Sequence, residues 1–251
     1  MDELKKILSE SIKDQQEIFG DDLFENLNSP VSKHNKEVNE EKFIVAERTE
    51  VEYGNNLFLE NWQKAENAND LDKMINTCTR CNLGKTRTKF VFGSGNTNAD
   101  IMLIGEAPGA DEDLQGEAFV GRAGKLLNDI LKAIELDRSK VFIANVLKCR
   151  PPNNRDPLPG EVETCIPYLH KQIELINPKI MLCLGRVAAN ELLSKKLTLG
   201  KLREDIYEFN GIKVMVTFHP AALLRNPNWK RDCWEDVKKF KKLYEELAGK
   251  L

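Results

Sequence analysis

Short apolar runs alternating with helical stretches constrain this chain more than any other feature. Asp100–Gly105 (DIMLIG), Lys140–Val146 (KVFIANV) and Lys179–Leu184 (KIMLCL) are apolar through their centres and too short for buried helices. They read as strands buried on both faces. Between them, Ala123–Leu136 carries Leu126, Leu127, Ile130, Leu131 and Ile134 at helical spacing, and Gly160–Ile176 is a helix entered after Pro159 and left at Pro178. Arg186–Leu193 reads as a short helix and Trp229–Leu247 as a closing one, while Ile206–Phe209 and Lys213–Phe218 are strands joined by the Asn210–Gly211 turn. Strands alternating with helices make a mostly parallel sheet covered on both faces, with its site at the carboxyl ends of the strands.

Charge divides the chain in two. Of the 251 residues, 1–70 hold 8 Lys/Arg against 17 Asp/Glu, and 71–251 hold 29 against 23. The net charge of −3 therefore hides an acidic extension on a basic body, and a basic body suits a polyanionic partner. Met1–Gly20, with Leu4, Ile7, Leu8, Ile12 and Ile18, has the spacing of a short amphipathic helix, and Asn26–Glu50 reads as disordered linker. The extension is either a solvated tail or an arm for a protein partner; the body, 71–251, is expected to be a monomer. The chain contains no apolar run long enough for a transmembrane helix, and its charged opening has no signal-peptide core, so a cytoplasmic location without membrane contact is expected.

Polar residues follow three of the strands: GEAPGADED after the first, NVLKCRPP after the second and HPAALLR after the last. They converge if the sheet is parallel. Gly93-Ser94-Gly95 imitates a dinucleotide fingerprint, but it precedes its strand and lacks the third glycine, so it reads as a loop. Of the six cysteines, Cys183 lies in an apolar strand and Cys233 in the last helix, which makes both core residues. Cys78-Thr-Arg-Cys81, Cys149 and Cys165 could form a four-thiolate site. Their spacing suits structural zinc or an iron–sulfur cluster without choosing between them, and a lone CxxC also serves redox chemistry.

Taken together, Cys78-x-x-Cys81, GEAPGADED (105–113), AFVGRAGKLL (118–127), NVLKCRPPNNRDP (145–157), Cys165 and HPAALLR (219–225) resemble the family 4 uracil-DNA glycosylases over about residues 75–245. The resemblance implies a three-layer α/β/α fold with a central, mostly parallel four-stranded sheet. It implies a 4Fe-4S cluster on Cys78, Cys81, Cys149 and Cys165. It also implies hydrolysis of the bond between uracil and deoxyribose in single- or double-stranded DNA, leaving an abasic site. A related branch that captures DNA covalently has GEQPG and a KRRIH insertion; here GEAPG stands and Lys148-Cys149-Arg150-Pro151 runs on without one. A non-catalytic uracil- or DNA-binding module on the same fold is the alternative.

The same resemblance assigns roles. Asn145 reads uracil, donating to O4 and accepting from N3–H, a polarity that cytosine reverses. Phe119 stacks on the ring. His219 donates to O2 of the departing base. Glu112 positions the water, Glu106 is a pocket wall whose backbone contacts uracil, and Ala107 stands where family 1 enzymes place an aspartate. Leu223 and Leu224 form an apolar wedge at the DNA, with Arg225 on phosphate. Apart from the resemblance, Lys85, Arg87, Lys89, Arg122, Arg150 and Arg155 lie near the motif loops, where they are candidates for phosphate contacts, whereas Lys238, Lys239, Lys241 and Lys242 read as a solvated helix face.

Hydrolysis moves no electrons, so the cluster's expected duty is to pin the CxxC segment and the 149–165 loop. Visible absorbance near about 400 nm is expected of the purified protein, because iron–sulfur clusters absorb there and zinc does not. Cys149→Ala is expected to lose that colour and thermal stability together; a colourless variant of normal stability would contradict the structural duty.

Overall fold

The computed structural model describes residues 60–248. The readings placed on Met1–Gly20 and Asn26–Glu50 lie outside them. Six strands form one sheet: β1 (Ser94–Gly95), β2 (Ile101–Gly105), β3 (Val141–Asn145), β4 (Ile180–Leu184), β5 (Tyr207–Phe209) and β6 (Ile212–Thr217). Their order is β1-β3-β2-β4-β6-β5. The inner four are parallel, and β1 and β5 are antiparallel edges. The expected four-stranded sheet is thus the parallel centre of a six-stranded one. Of the two added edges, one is the strand read at Ile206–Phe209, and the other comes from Gly93-Ser94-Gly95, read as a loop, whose Ser94 and Gly95 pair with Ile143 and Phe142.

Nine α-helices accompany the sheet among the described residues: α1 (Ala68–Ile75), α2 (Leu83–Thr86), α3 (Ala110–Gln115), α4 (Arg122–Ala133), α5 (Pro159–Ile176), α6 (Arg186–Leu193), α7 (Leu199–Glu204), α8 (Pro220–Arg225) and α9 (Lys230–Ala248). Alternate strand residues face opposite layers. Met102, Ile104, Phe142, Ala144, Met181 and Cys183 pack with α1, α5 and α6. Ile101, Leu103, Val141, Ile143, Ile180 and Leu182 pack with α4 and α9. The result is the three-layer α/β/α sandwich. Cys183 and Cys233 are both buried, as expected of core residues.

The folded body begins ahead of residue 71. Trp62, Ala65 and Ala68 are buried, and the Trp62 ring meets Tyr168 of α5 edge-on, with centroids 4.9 Å apart. A lone tryptophan in a polar stretch carries no periodicity, which is why the sequence pattern places the boundary late. Trp62→Ala is expected to cost about 3–5 kcal/mol, as for other buried aromatic truncations, read as a lowered midpoint in urea unfolding. An unchanged midpoint would contradict this packing.

Candidate active site

The carboxyl ends of β2, β3 and β6 open into a cavity of about 330 Å³ lined by Glu106, Ala107, Glu112, Phe119, Asn145 and His219, with Arg155, Asp156 and Arg225 at its wall. A larger, more open groove of about 690 Å³ beside Arg186 and Lys195 shares only Asp156 with it and holds none of Glu106, Glu112, Phe119, Asn145 and His219. The chemistry lies in the smaller cavity.

Asn145 ends β3 opposite Gly105 of β2. It is 2% exposed, and its side-chain Oδ1 is buried without a hydrogen-bond partner. Such an acceptor costs about 1–3 kcal/mol unless a donor reaches it. Gly105 makes room for it: a Cβ there would lie 2.3 Å from Oδ1 and 2.7 Å from the Phe119 ring.

His219 caps α8, its Nδ1 accepting from the Ala221 N–H at 3.1 Å. The ring is therefore the tautomer with its proton on Nε2. Burial, then the charge of Arg225, pushes the imidazole down to about 4, which keeps it a neutral donor. Its centroid lies 5.5 Å from that of Phe119, with the rings tilted by 34°.

Phe119 holds a left-handed backbone, φ +55°, which costs a non-glycine residue about 1–3 kcal/mol. Arg138 holds it there. One guanidinium nitrogen donates to the Phe119 carbonyl at 3.0 Å, and the other donates to the Ala118 carbonyl at 2.6 Å and to the Ser94 hydroxyl. Gly124 completes the seat, since a Cβ there would lie 1.8 Å from the Phe119 carbonyl oxygen.

The two carboxyls differ. Glu112 accepts from the backbone N–H groups of Gly109 (3.1 Å), Val120 (2.9 Å) and Gly121 (2.9 Å), tying the GEAPG loop to the segment after Phe119. Glu106 is pushed up to about 7, first by burial and then by Asp156, against the opposing pull of Arg186.

Behind this cavity the four expected thiols gather. Cys78, Cys81, Cys149 and Cys165 are all free. Cys149 feels the charges of Cys81 and Cys78, and Cys165 those of Cys149 and Cys81, so the four share one space. Three of the sulfurs accept hydrogen bonds at 3.3 Å: Cys78 from the Tyr168 hydroxyl, Cys149 from Arg87 and Cys165 from the Lys148 N–H. Burial pushes the Cys165 thiol up to about 12, so it ionises only against added positive charge. Among the described residues no three His, Cys, Asp or Glu side chains close round a single ion. The donors are all soft sulfur, three of them hydrogen-bonded, the chemistry that structural zinc and iron–sulfur clusters both use.

The family model described as the uracil DNA glycosylase superfamily matches residues 92–247. The chain is 46% identical over 193 residues to the type-4 uracil-DNA glycosylase of Archaeoglobus fulgidus, covering 74% of this chain and 95% of that relative. It is 46% identical over 185 residues to the one from Saccharolobus solfataricus (70% and 84% covered) and 42% over 175 residues to the one from Thermotoga maritima (68% and 91%). The chain belongs to the type-4 uracil-DNA glycosylases.

In this family member the cavity gathers every expected base-contacting residue, but part of the expected DNA surface is used otherwise. Leu223 is 0% exposed, its side chain packed in the core with α4 and α9, so it is no wedge; Leu224, one position on, is 37% exposed. Arg225 is exposed at the cavity wall. Arg87 is taken up by Cys149, the Asn76 carbonyl and the Cys78 carbonyl. Arg155 pairs with Glu161 through two hydrogen bonds of 2.9 and 2.6 Å. Lys85, Lys89 and Arg122 remain exposed, and Arg150 is held by Asn154 at 2.8 Å. Lys238, Lys241 and Lys242 pair with acidic residues along α9 or nearby. Sequence reasoning missed Arg138, which lies outside every motif and announces itself only through the backbone it grips.

The unfolded chain titrates His219 near the ordinary value of about 6.5, the folded one near 4. Between those values the unfolded chain binds more protons. His219 therefore contributes fully to stability above about pH 6.5, and that contribution is lost as pH falls toward 4. Nitrogen NMR is expected to show His219 protonated on Nε2 alone, with no titration above about pH 5; an imidazolium at pH 6 would contradict the buried cap.

Proposed function

We propose that the chain removes uracil from DNA, hydrolysing the bond between N1 of the base and C1′ of the sugar and leaving an abasic site. The observation that carries this reading is the pairing, in one cavity, of an unpartnered amide oxygen on Asn145 with a neutral imidazole donor on His219 beside an aromatic face.

A stacked base reaches such a cavity by extrusion, at a cost of roughly a few kcal/mol. Phe119 offers its ring face. Asn145 Oδ1 accepts from uracil N3–H while its Nδ2 donates to O4. Cytosine presents the reverse polarity and leaves both amide atoms unpaired, which supports discrimination of about 10⁴ or more. As C1′–N1 breaks, its electron pair leaves on the base, and negative charge grows on O2. His219 donates Nε2–H to that oxygen without giving up its proton. Water adds to C1′, and its proton passes to solvent or the departing base. Glu112, fixed by its three N–H donors, holds that water; Glu106 and Ala107 form the wall. Leu224 fills the place of the flipped base, and Arg225 lies on phosphate. Cys78, Cys81, Cys149 and Cys165 hold a 4Fe-4S cluster, which supplies structural support when bound. Cysteines that serve as cluster ligands rather than as a disulfide framework suit a reducing compartment, and we take that compartment to be the cytoplasm.

With a uracil-containing oligonucleotide, wild type is expected to release uracil and Asn145→Ala to lose that activity. His219→Ala is expected to lower kcat by about 10²–10³, the worth of one preorganised donor. Binding without release by wild type would make the chain a binding module instead. Glu106 ionises as pH rises through about 7, and the negative charge it then carries favours the positive sugar. The rate is expected to climb through that range in wild type and to stay flat in Glu106→Gln; identical pH profiles would remove Glu106 from the reaction.

A further inference from the structure

One buried charge belongs to neither the base pocket nor the thiols and touches both. Lys148 is 0% exposed. Its Nζ donates to the Asn145 carbonyl at 2.7 Å and to Gln172 Oε1 at 2.5 Å. Gln172, also fully buried, passes the link on by donating from Nε2 to the Phe92 carbonyl at 2.9 Å. At the main chain, the Lys148 N–H donates to Cys165 Sγ at 3.3 Å, and its carbonyl accepts from Val91 N–H at 2.9 Å. The following residue is Cys149.

Among the described residues the printed partners of this ammonium are the Asn145 carbonyl and Gln172 Oε1, neither of them a carboxylate, and the charges it feels are those of the Cys165 and Cys149 sulfurs. A buried cation without a counter-charge is costly, and thiolates held by a metal supply one. The ammonium then has donors to spend on the strand end from which the Asn145 amide projects.

We propose that Lys148 is a positioning residue joining the two centres: its charge faces the cluster thiolates, and its donors fix the carbonyl of Asn145 and so the aim of the base-reading amide. The inference rests on reading the cavity as a uracil pocket and the thiols as cluster ligands. Coupling of this kind is reciprocal. A uracil molecule drawn onto Asn145 is felt at the Cys165 sulfur, and loss of Lys148 is felt in the pocket.

The test uses the full-length, iron-loaded chain. Lys148→Met keeps the volume of the stem and removes the charge and the donors. It is expected to keep its affinity for uracil-free DNA while binding free uracil at least tenfold more weakly. Lys148→Arg, which keeps charge and donors, is expected to recover part of that loss. In wild type, saturating uracil is expected to shift the iron–sulfur stretching bands in resonance Raman spectra, a measurement that does not depend on whether a variant folds. Unshifted bands, the lack of a visible chromophore, or a folded Lys148→Met that binds uracil as wild type does would each overturn the proposal. Wild type that neither binds nor releases uracil would reject the pocket reading itself; wild type that does both, beside an unaffected Lys148→Met, would reject only the link.

Discussion

The parallel pairing of Gly105 with Asn145 is the contact on which the site depends. It brings the ends of β2 and β3 level, so that the GEAPG loop and the NVLKC loop leave the sheet side by side. It also sets a residue without a side chain against the base-reading amide. A methyl group on Gly105 would collide with Asn145 Oδ1 and with the Phe119 ring at once. Close backbone approach, rather than an unusual φ, is what glycine provides here. With that contact in place, β6 delivers His219 to the same mouth from the other side of β4.

Around that contact the polar groups of the interior are held by the rest of the protein, and the exceptions are informative. Two buried side-chain atoms lack partners among the described residues: Asn145 Oδ1 and His170 Nε2. His170 lies against Phe209 and lines no part of the cavity, so an orphaned atom alone does not mark a site. Asn145 differs because a donor, an aromatic face and two carboxyls converge on it. The neutrality of His219 has the same origin. Its Nδ1 is committed to a helix cap and its surroundings exclude water, so it enters the reaction as a donor that needs no reorganisation.

The strands, the main helices and the convergence of three loops were legible because they rest on short continuous apolar runs, a helical period of 3.6 and motif context. Asn145, Phe119, His219, Glu106 and Glu112 all line the cavity that their motifs implied. Leu223 was not legible: two adjacent leucines on a short helix look alike in sequence, and only packing against α4 and α9 assigns one to the core and leaves the other to solvent. Arg87 and Arg155 show a related limit of pattern, since a basic residue near a motif loop advertises charge but not the partners, Cys149 and Glu161, that the fold brings to it. Arg138 and Trp62 were missed because each acts through a contact distant in sequence, with the Phe119 backbone and the Tyr168 ring.

By itself the sequence determined the alternation of strand and helix, the set of four thiols and the chemistry that follows each strand end. Those are local properties, written in hydrophobic period, residue type and spacing. Tertiary structure alone decided which leucine faces outward, which arginines stay free for a polyanion, and how a buried lysine comes to lie between the thiols and the amide. Each of these depends on which distant groups a side chain meets, and burial makes those meetings matter, because a charge or polar atom removed from water is stable only where the fold has brought it a partner.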